Sequence, residues 1–338
     1  MLLGLALTQH CNLRCPHCIR DDVTTVRSLD LPLIRSIIDQ ATGIFDRVDV
    51  SLTGGEPLLY PQFDELLDLL AERDLSYRFV SNGWHMGRVM PALDRYPPRH
   101  VRLSLSGVDE ETHDAVRGRG SFSRVLKAAA LLTSRGIPTS LSLVIDRVAR
   151  PSLRAGADLT EALGLLGIFY ILPQPSAGSL EMDSELSPLE WDEVRDEVDA
   201  LAAEGHRRSI VGLDYGAPFV DQLERPCDTF ALKRIYVDAW GRLATCCQLS
   251  DYGYNQTEVV ADLNLVPFAD AYRSYRERLE ALAESARPDF ERSPLDRFPC
   301  MRCARASGKL DWLGKFPEAD WTKLSRQSGV RMALPVLR

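Results

Sequence analysis

The segment Leu2-Leu3-Gly4-Leu5-Ala6-Leu7-Thr8-Gln9-His10-Cys11-Asn12-Leu13-Arg14-Cys15-Pro16-His17-Cys18 runs an apolar strand directly into three cysteines. Its first seven residues are nearly continuous in apolar character, as strands buried on both faces tend to be. Further runs of this kind follow at Val48–Thr53, Tyr77–Ser81, Val101–Ser106, Thr139–Ile145 and Phe169–Pro173. Between them the spacing turns helical. Ile34, Ile37, Ile38 and Ala41 share one face, as do Phe63, Leu66, Leu67 and Leu70, and again Val125, Ala129 and Leu132. These stripes are read as core packing. Six strands alternating with helices predict an α/β fold with a parallel sheet and right-handed crossovers, a partial (β/α)6 TIM-like barrel. In such folds reactive groups gather on the loops after the strands. The unusual residues obey that rule. The cysteine loop follows the first strand, Gly54-Gly55-Glu56-Pro57 the second and Ser81-Asn82-Gly83 the third, while Ser104, Ser106 and Gly107 close the fourth.

Composition sets the outer bounds. The chain has 338 residues, 45% hydrophobic and 26% charged. That balance excludes a disordered, collagen-like or coiled-coil chain. Its formal charge of −8 argues against the broad basic footprint of a nucleic-acid binder. The longest apolar stretch, Ala162 to Leu172, is too short and glycine-broken to cross a bilayer. Met1–Leu7 has no preceding basic residue and no cleavage site after it, so no signal peptide is read. A cytoplasmic location is expected, with neither membrane nor nucleic acid among the partners.

In a reducing compartment clustered thiols point to metal or redox chemistry. The eight cysteines form a front group, Cys11, Cys15 and Cys18, and a rear group, Cys227, Cys246, Cys247, Cys300 and Cys303. Thiolates bind zinc and iron–sulfur clusters. Three on one loop could hold a four-iron cluster with one iron left open, or zinc completed by His10 or His17. Cys15-Pro16-His17-Cys18 alone also reads as a thioredoxin-like dithiol. Four of the rear thiols could fully ligate one cluster or one zinc.

Past Ala177 the pattern changes. Ser187-Pro188-Leu189-Glu190 reads as a capping box with proline at the first helical position, opening a helix to about Glu204. Lys233–Asp238 and Arg242–Cys246 flank Ala239-Trp240-Gly241 as a β-hairpin. A polar helix from about Phe268 to Ala286 precedes the Cys300–Cys303 pair. The expected organisation is a core over 1–180, a connecting helix and loop over 181–226, a sulfur domain over 227–310 and a tail over 311–338.

The C-x3-C-x2-C spacing, with His17 before the last cysteine, resembles the signature of the radical SAM enzymes. Gly54-Gly55-Glu56-Pro57 looks like that family's second hallmark, whose backbone and glutamate hold the amino group of S-adenosylmethionine. Ser81-Asn82-Gly83 resembles its third-strand motif. Gly107 through Gly118, with His113-Asp114 and Arg117-Gly118, resembles the segment after strand four. Ser106 departs from the pattern, because many relatives carry aspartate there. The resemblance covers about residues 1–180. It implies that Cys11, Cys15 and Cys18 hold a [4Fe–4S] cluster and that S-adenosylmethionine is cleaved reductively to a 5′-deoxyadenosyl radical. Ser81, Asn82, Ser104, Arg117 and Ser142 are then expected to complete the cofactor surface.

The rear spacing, Cys227-x13-Gly241-x4-Cys246 and then Cys300-x2-Cys303, resembles the family's shortened auxiliary-cluster (twitch) domain, kin of the longer SPASM domain. That implies a single auxiliary [4Fe–4S] cluster on Cys227, Cys246, Cys300 and Cys303. Cys247 is left over: a small buried hydrophobe, an alternative ligand to its neighbour Cys246, or a hydrogen-atom donor for epimerisation. The competing outcome is oxidation of a sugar, an aminocyclitol or a peptide. Peptide cross-linking or maturation is a further alternative, and a zinc scaffold or a dithiol protein an alternative outside the family. The chain's start at strand one is expected to leave no room for a leader-gripping module, which favours a small substrate or a peptide delivered without one. The Leu172–Glu185 connection and the region from Ser209 to Arg225, with Tyr215 and Phe219, are expected to line or cover the opening. A flavodoxin or ferredoxin is the expected electron donor.

Overall fold

The computed structural model describes residues 1–20, 26–205, 209–214, 227–250, 252–253, 255–287 and 294–326. Tyr215, Phe219 and most of the 181–226 connection's second half lie outside the described residues.

The chain opens with β1 (Leu2–Thr8), α1 (Leu31–Ile44), β2 (Asp49–Gly54), α2 (Phe63–Glu72), β3 (Tyr77–Ser81), α3 (Met86–Arg95) and β4 (His100–Leu105). Next come α4 (Glu110–Arg117), α5 (Ser121–Thr133), β5 (Thr139–Val144), α6 (Leu153–Ala162) and β6 (Gly167–Ile171). After them lie α7 (Ala177–Glu181), α8 (Pro188–Glu204) and β7 (Ile210–Asp214). The remainder is β8 (Arg234–Val237), β9 (Arg242–Ala244), β10 (Val259–Asp262), α9 (Phe268–Ser285), α10 (Pro299–Ala306) and α11 (Asp320–Arg326).

Among the described residues the strands form one ten-stranded sheet in the order β10-β9-β8-β1-β2-β3-β4-β5-β6-β7. From β8 to β7 every neighbouring pair is parallel, while β8, β9 and β10 pair antiparallel. The sheet is open, which makes the fold a partial barrel. The helical stripes read from the sequence are its packing faces. Ile34, Ile37, Ile38 and Ala41 of α1 are all buried, with Phe63, Leu66, Leu67 and Leu70 of α2 and Val125, Ala129 and Leu132 of α5.

Two strands escape the sequence reading, β7 and β10, and so does the docking of the hairpin. β8 pairs with the free edge of β1, where Leu3 lies between Val50 of β2 and Ile235 of β8. The rear sulfur region therefore continues the barrel's own sheet.

The connecting helix forms as its cap predicts. Ser187 Oγ accepts from Glu190 N at 3.3 Å, and Glu190 Oε2 accepts from Ser187 N at 2.6 Å. On its inner face Trp191 packs edge-on against Phe298 and Trp321, with ring centres 5.4 and 5.0 Å away. Trp321 Nε1 donates to Leu186 O at 3.0 Å. This aromatic trio ties α8, α11 and the start of α10 together and so fixes where Cys300 stands.

Candidate active site

The front site is built by backbone contact between two loops. Gly55 N donates to Thr8 O at 2.7 Å and Glu56 N to His10 O at 2.9 Å, which locks the β2 loop against the cysteine loop. Only glycine fits this approach. A Cβ on Gly54 would stand 2.4 Å from Thr8 O, and one on Gly55 would stand 2.3 Å from His10 O. Gly54 also has φ of +126°, a conformation side chains rarely adopt. From the other side Ser176 Oγ, at the cap of α7, donates to Pro16 O at 2.8 Å.

Glu56 is the charged centre of the site, at 1% exposure. Its Oε1 accepts from Ser81 Oγ at 2.8 Å and from Leu58 N at 3.3 Å, and its Oε2 accepts from Asn82 N at 2.8 Å. Asn82 Nδ2 in turn donates to Asn12 Oδ1 at 3.0 Å, inside the cysteine loop. Burial pushes the Glu56 carboxyl up to about 7, against the pull of its three donors and of Arg117. An arriving ammonium group would complete its ionisation. Arg117 is itself buried and donates from Nε to Ser106 Oγ at 2.6 Å. Ser106, where the resemblance leads one to expect aspartate, thus serves as the arginine's neutral partner. Ser104 and Ser142 face each other in register across β4 and β5, with Ser142 buried.

All eight cysteines are free thiols. Burial raises the Cys11 thiol, opposed by a 3.4 Å hydrogen bond from Leu13 N, and Glu56, Cys15 and Cys18 raise it further. His17, between two cysteines, is pushed down to about 3 by burial and by Arg117 and His113, so it stays neutral.

At the rear, Cys300 and Cys303 lie three residues apart on α10, and Cys246 just after β9. Cys227 is exposed, the other rear thiols half-buried. Burial first, then Cys303, Cys227 and Cys247, raise the Cys300 thiol; burial and Cys227 push Cys303 up to about 12. Cys246 is raised by its hydrogen bond to Cys247 and by burial, with Cys300 adding to it. Cys247 is pulled the other way, by Cys246 and by Arg234. Cys247 packs against a small apolar group of Ala6, Tyr236, Ala239 and Ala244.

The raised thiols of Cys246, Cys300 and Cys303 would ionise most readily against a multivalent cation, so this donor set fits a metal group. Among the described residues no three His, Cys, Asp or Glu side chains stand together as a group that could hold a metal ion.

Between the two sulfur sites lies a cavity of about 140 Å³. His17 and Ile19 line it from the front loop, Cys300 and Met301 from α10, and Gln248 from the turn after Cys247. The ends of β5 and β6 form a further wall, with Leu172, Pro173 and Gln174 of the expected Leu172–Glu185 lining. The sequence reading did not single out Gln174, Trp191 or Phe298, which also face this space. Nothing local marks them, since the wall is assembled from segments far apart in the chain.

The profile of the Radical SAM superfamily matches residues 5–148. Residues 5–148 of the chain thus carry a radical SAM domain. Its relatives support the SPASM/twitch branch of that superfamily. The mycofactocin maturase MftC of Mycolicibacterium smegmatis is 30% identical over 207 residues, 60% of this chain and 51% of that protein. The PqqA peptide cyclase of Gluconobacter oxydans is 27% identical over 255 residues, 73% of this chain and 70% of that one. The chain spans about half the length of the first of these. In fold it is similar to Streptococcus suis SuiB bound to S-adenosylmethionine, with TM-score 0.71 at 16% identity over 89% of this chain and 71% of that one. The cofactors of this family are S-adenosylmethionine and a [4Fe–4S] cluster. No helix among the described residues is long and apolar enough to cross a membrane.

Proposed function

We propose that this chain is a peptide-modifying radical enzyme that oxidises its substrate in the cavity between two sulfur sites. In this reading Cys11, Cys15 and Cys18 hold the S-adenosylmethionine-binding [4Fe–4S] cluster. Gly54, Gly55, Glu56 and Pro57 hold the cofactor's amino end, with Ser81, Asn82, Ser104, Arg117 and Ser142 around it. Cys227, Cys246, Cys300 and Cys303 hold one auxiliary [4Fe–4S] cluster within a domain of residues 227–310, joined to the 1–180 core by 181–226 and followed by the tail 311–338. When bound, these groups supply hydrogen-atom abstraction from an unactivated carbon and a nearby electron acceptor. The protein's own part is to position and to exclude. Leu172, Trp191, Phe298 and Met301 give the cavity apolar walls, which keep water from a reactive carbon. His17, held neutral, brings no acidic proton to that wall. The electrons would come from a flavodoxin or ferredoxin.

The observation that carries this reading is a cavity with His17 on one wall and Cys300 on another. A peptide substrate is supported by the named roles of the relatives, a maturase and a peptide cyclase. Oxidation is favoured over epimerisation because Cys247 packs into the Ala6–Tyr236 group, while its neighbour Gln248 lines the cavity. The test is mass spectrometry of candidate precursor peptides after anaerobic turnover. A product lighter by two hydrogens, with 5′-deoxyadenosine formed alongside, is expected. A mass unchanged in ordinary water and raised by one deuterium in heavy water would replace oxidation by epimerisation.

A further inference from the structure

Lys309 is the most deeply buried lysine or arginine among the described residues, at 0% exposure, and has no part in the chemistry above. It stands just past the end of α10. Its Nζ donates to Tyr252 O at 2.7 Å and to Asn255 O at 2.8 Å, and pairs with Glu258 Oε2 at 2.6 Å. Glu258 is itself 2% exposed. Taking both charges out of water is costly, and a well-packed apolar pair of similar volume is often at least as stable. Stability alone therefore does not account for an ammonium group here. What it does that an apolar side chain cannot is draw three acceptors of one segment onto a single atom.

Both ends of this clamp run to cysteines. Glu258 precedes β10, and its carbonyl accepts at 2.9 Å from the N–H of Thr245, the residue before Cys246. On the other side Lys309 N donates at 2.8 Å to the carbonyl of Ala304, the residue after Cys303. The route from Cys246 to Cys303 thus passes through one buried ion pair. The two segments also approach as closely as backbone permits. A Cβ on Gly253 would stand 2.4 Å from Lys309 O, and Gly253 has φ of +75°. At the surface Asn255 Nδ2 adds a bond to Gly308 O at 2.7 Å.

We infer that Lys309 is a positioning residue for the rear sulfur site. Through Glu258 and the carbonyls of Tyr252 and Asn255 it holds the segment of Cys246 against the helix of Cys300 and Cys303, so that the donor set is assembled before iron arrives and keeps iron afterwards. This rests on the ligand set proposed above and adds the residue that holds its parts together. Groups one step beyond the ligands commonly govern metal affinity over about 10- to 100-fold.

The test uses the full chain with Cys11, Cys15 and Cys18 all replaced by alanine, reconstituted anaerobically, so that the iron it retains reports the rear site alone. The readouts are the rate at which a ferrous chelator removes that iron and the melting temperature of the same preparation. Lys309→Met should lose iron about 10- to 100-fold faster than this parent. Adding Glu258→Met removes the stranded carboxylate, so the double variant should melt higher than Lys309→Met yet lose iron as quickly. Lys309→Arg, which keeps a cation with several donors, should recover part of the retention. Iron loss within twofold of the parent in Lys309→Met or in the double variant would overturn the inference. So would iron loss that simply follows melting temperature across the set, the mark of a merely structural lysine. A parent that holds no iron removes the ligand set, and the inference with it. A parent that holds about four irons, with unaltered loss in the variants, removes the role of Lys309 alone.

Discussion

His17 and Cys300 line one cavity, although one belongs to the first cysteine loop and the other to a helix near the far end of the chain. Their meeting follows from β8 adding to the free edge of β1, and from the Trp191–Phe298–Trp321 trio that seats α10. Neither sulfur site alone defines this space.

If both sites hold [4Fe–4S] clusters, anaerobically reconstituted protein should contain about eight irons per chain. Cys300→Ala should reduce that to about four and stop substrate oxidation, while cleavage of S-adenosylmethionine continues. Iron analysis beside a 5′-deoxyadenosine assay reads both. An unchanged iron content would remove Cys300 from the ligand set.

Glu56 accepts from Ser81 and Leu58 on one oxygen and from Asn82 on the other, so Glu56→Gln removes the charge and also sets an amide N–H against one of these donors. Glu56→Gln should weaken S-adenosylmethionine binding by about 10- to 100-fold, the worth of one hydrogen bond to a charged group at roughly 1.5–3 kcal/mol. Equilibrium titration checks it, and an affinity within twofold of wild type would contradict the assignment.

Gly55 and Gly43 make a matched pair. A Cβ on Gly55 would meet His10 O and C at 2.3 and 2.7 Å, both backbone atoms, whereas one on Gly43 would meet nothing within 4 Å. Gly55→Ala should cost about 1–3 kcal/mol and loosen the cofactor loop. Gly43→Ala, in α1, should be neutral or stabilising. Thermal denaturation of the two variants tests the difference, and equal melting temperatures would contradict it.

Glu185, 7% exposed, is pushed up to about 8 by burial, against a hydrogen bond from Ser179 and the charge of Arg147. The folded chain thus keeps a proton that the unfolded chain releases near its ordinary value of 4.5. Between those limits the native state binds more protons, so stability falls as pH rises, and it levels off above about 8. Glu185→Gln cannot ionise. It should melt higher than wild type at pH 8.5, with the gap closing toward pH 5. A gap that stays constant with pH would show that the carboxyl is not what titrates.

The core of the barrel was legible because its strands and helices repeat one simple pattern. Strands over Leu2–Thr8 and Tyr77–Ser81 end where the apolar runs end, and the buried face of α1 is the one its spacing marks. β7 and β10 were not legible for a physical reason. Both are short edge strands, with Ile210 at 63% exposure and every residue of β10 only half-buried, so neither needs a continuous apolar run. The Cys11–Cys18, Gly54–Pro57 and Ser81–Gly83 loops stand out in the sequence because the residues of each are contiguous. The cavity wall could not, since Gln174, Trp191 and Phe298 meet only through the fold.

The central claim is that the Cys11–Cys18 loop and Glu56 together support reductive cleavage of S-adenosylmethionine. The most direct measurement is 5′-deoxyadenosine formed on anaerobic incubation of the reconstituted chain with S-adenosylmethionine and dithionite. Wild type should form it, and Cys15→Ala should form none. Equal yields from the two proteins, or none from an iron-loaded wild type, would contradict the account.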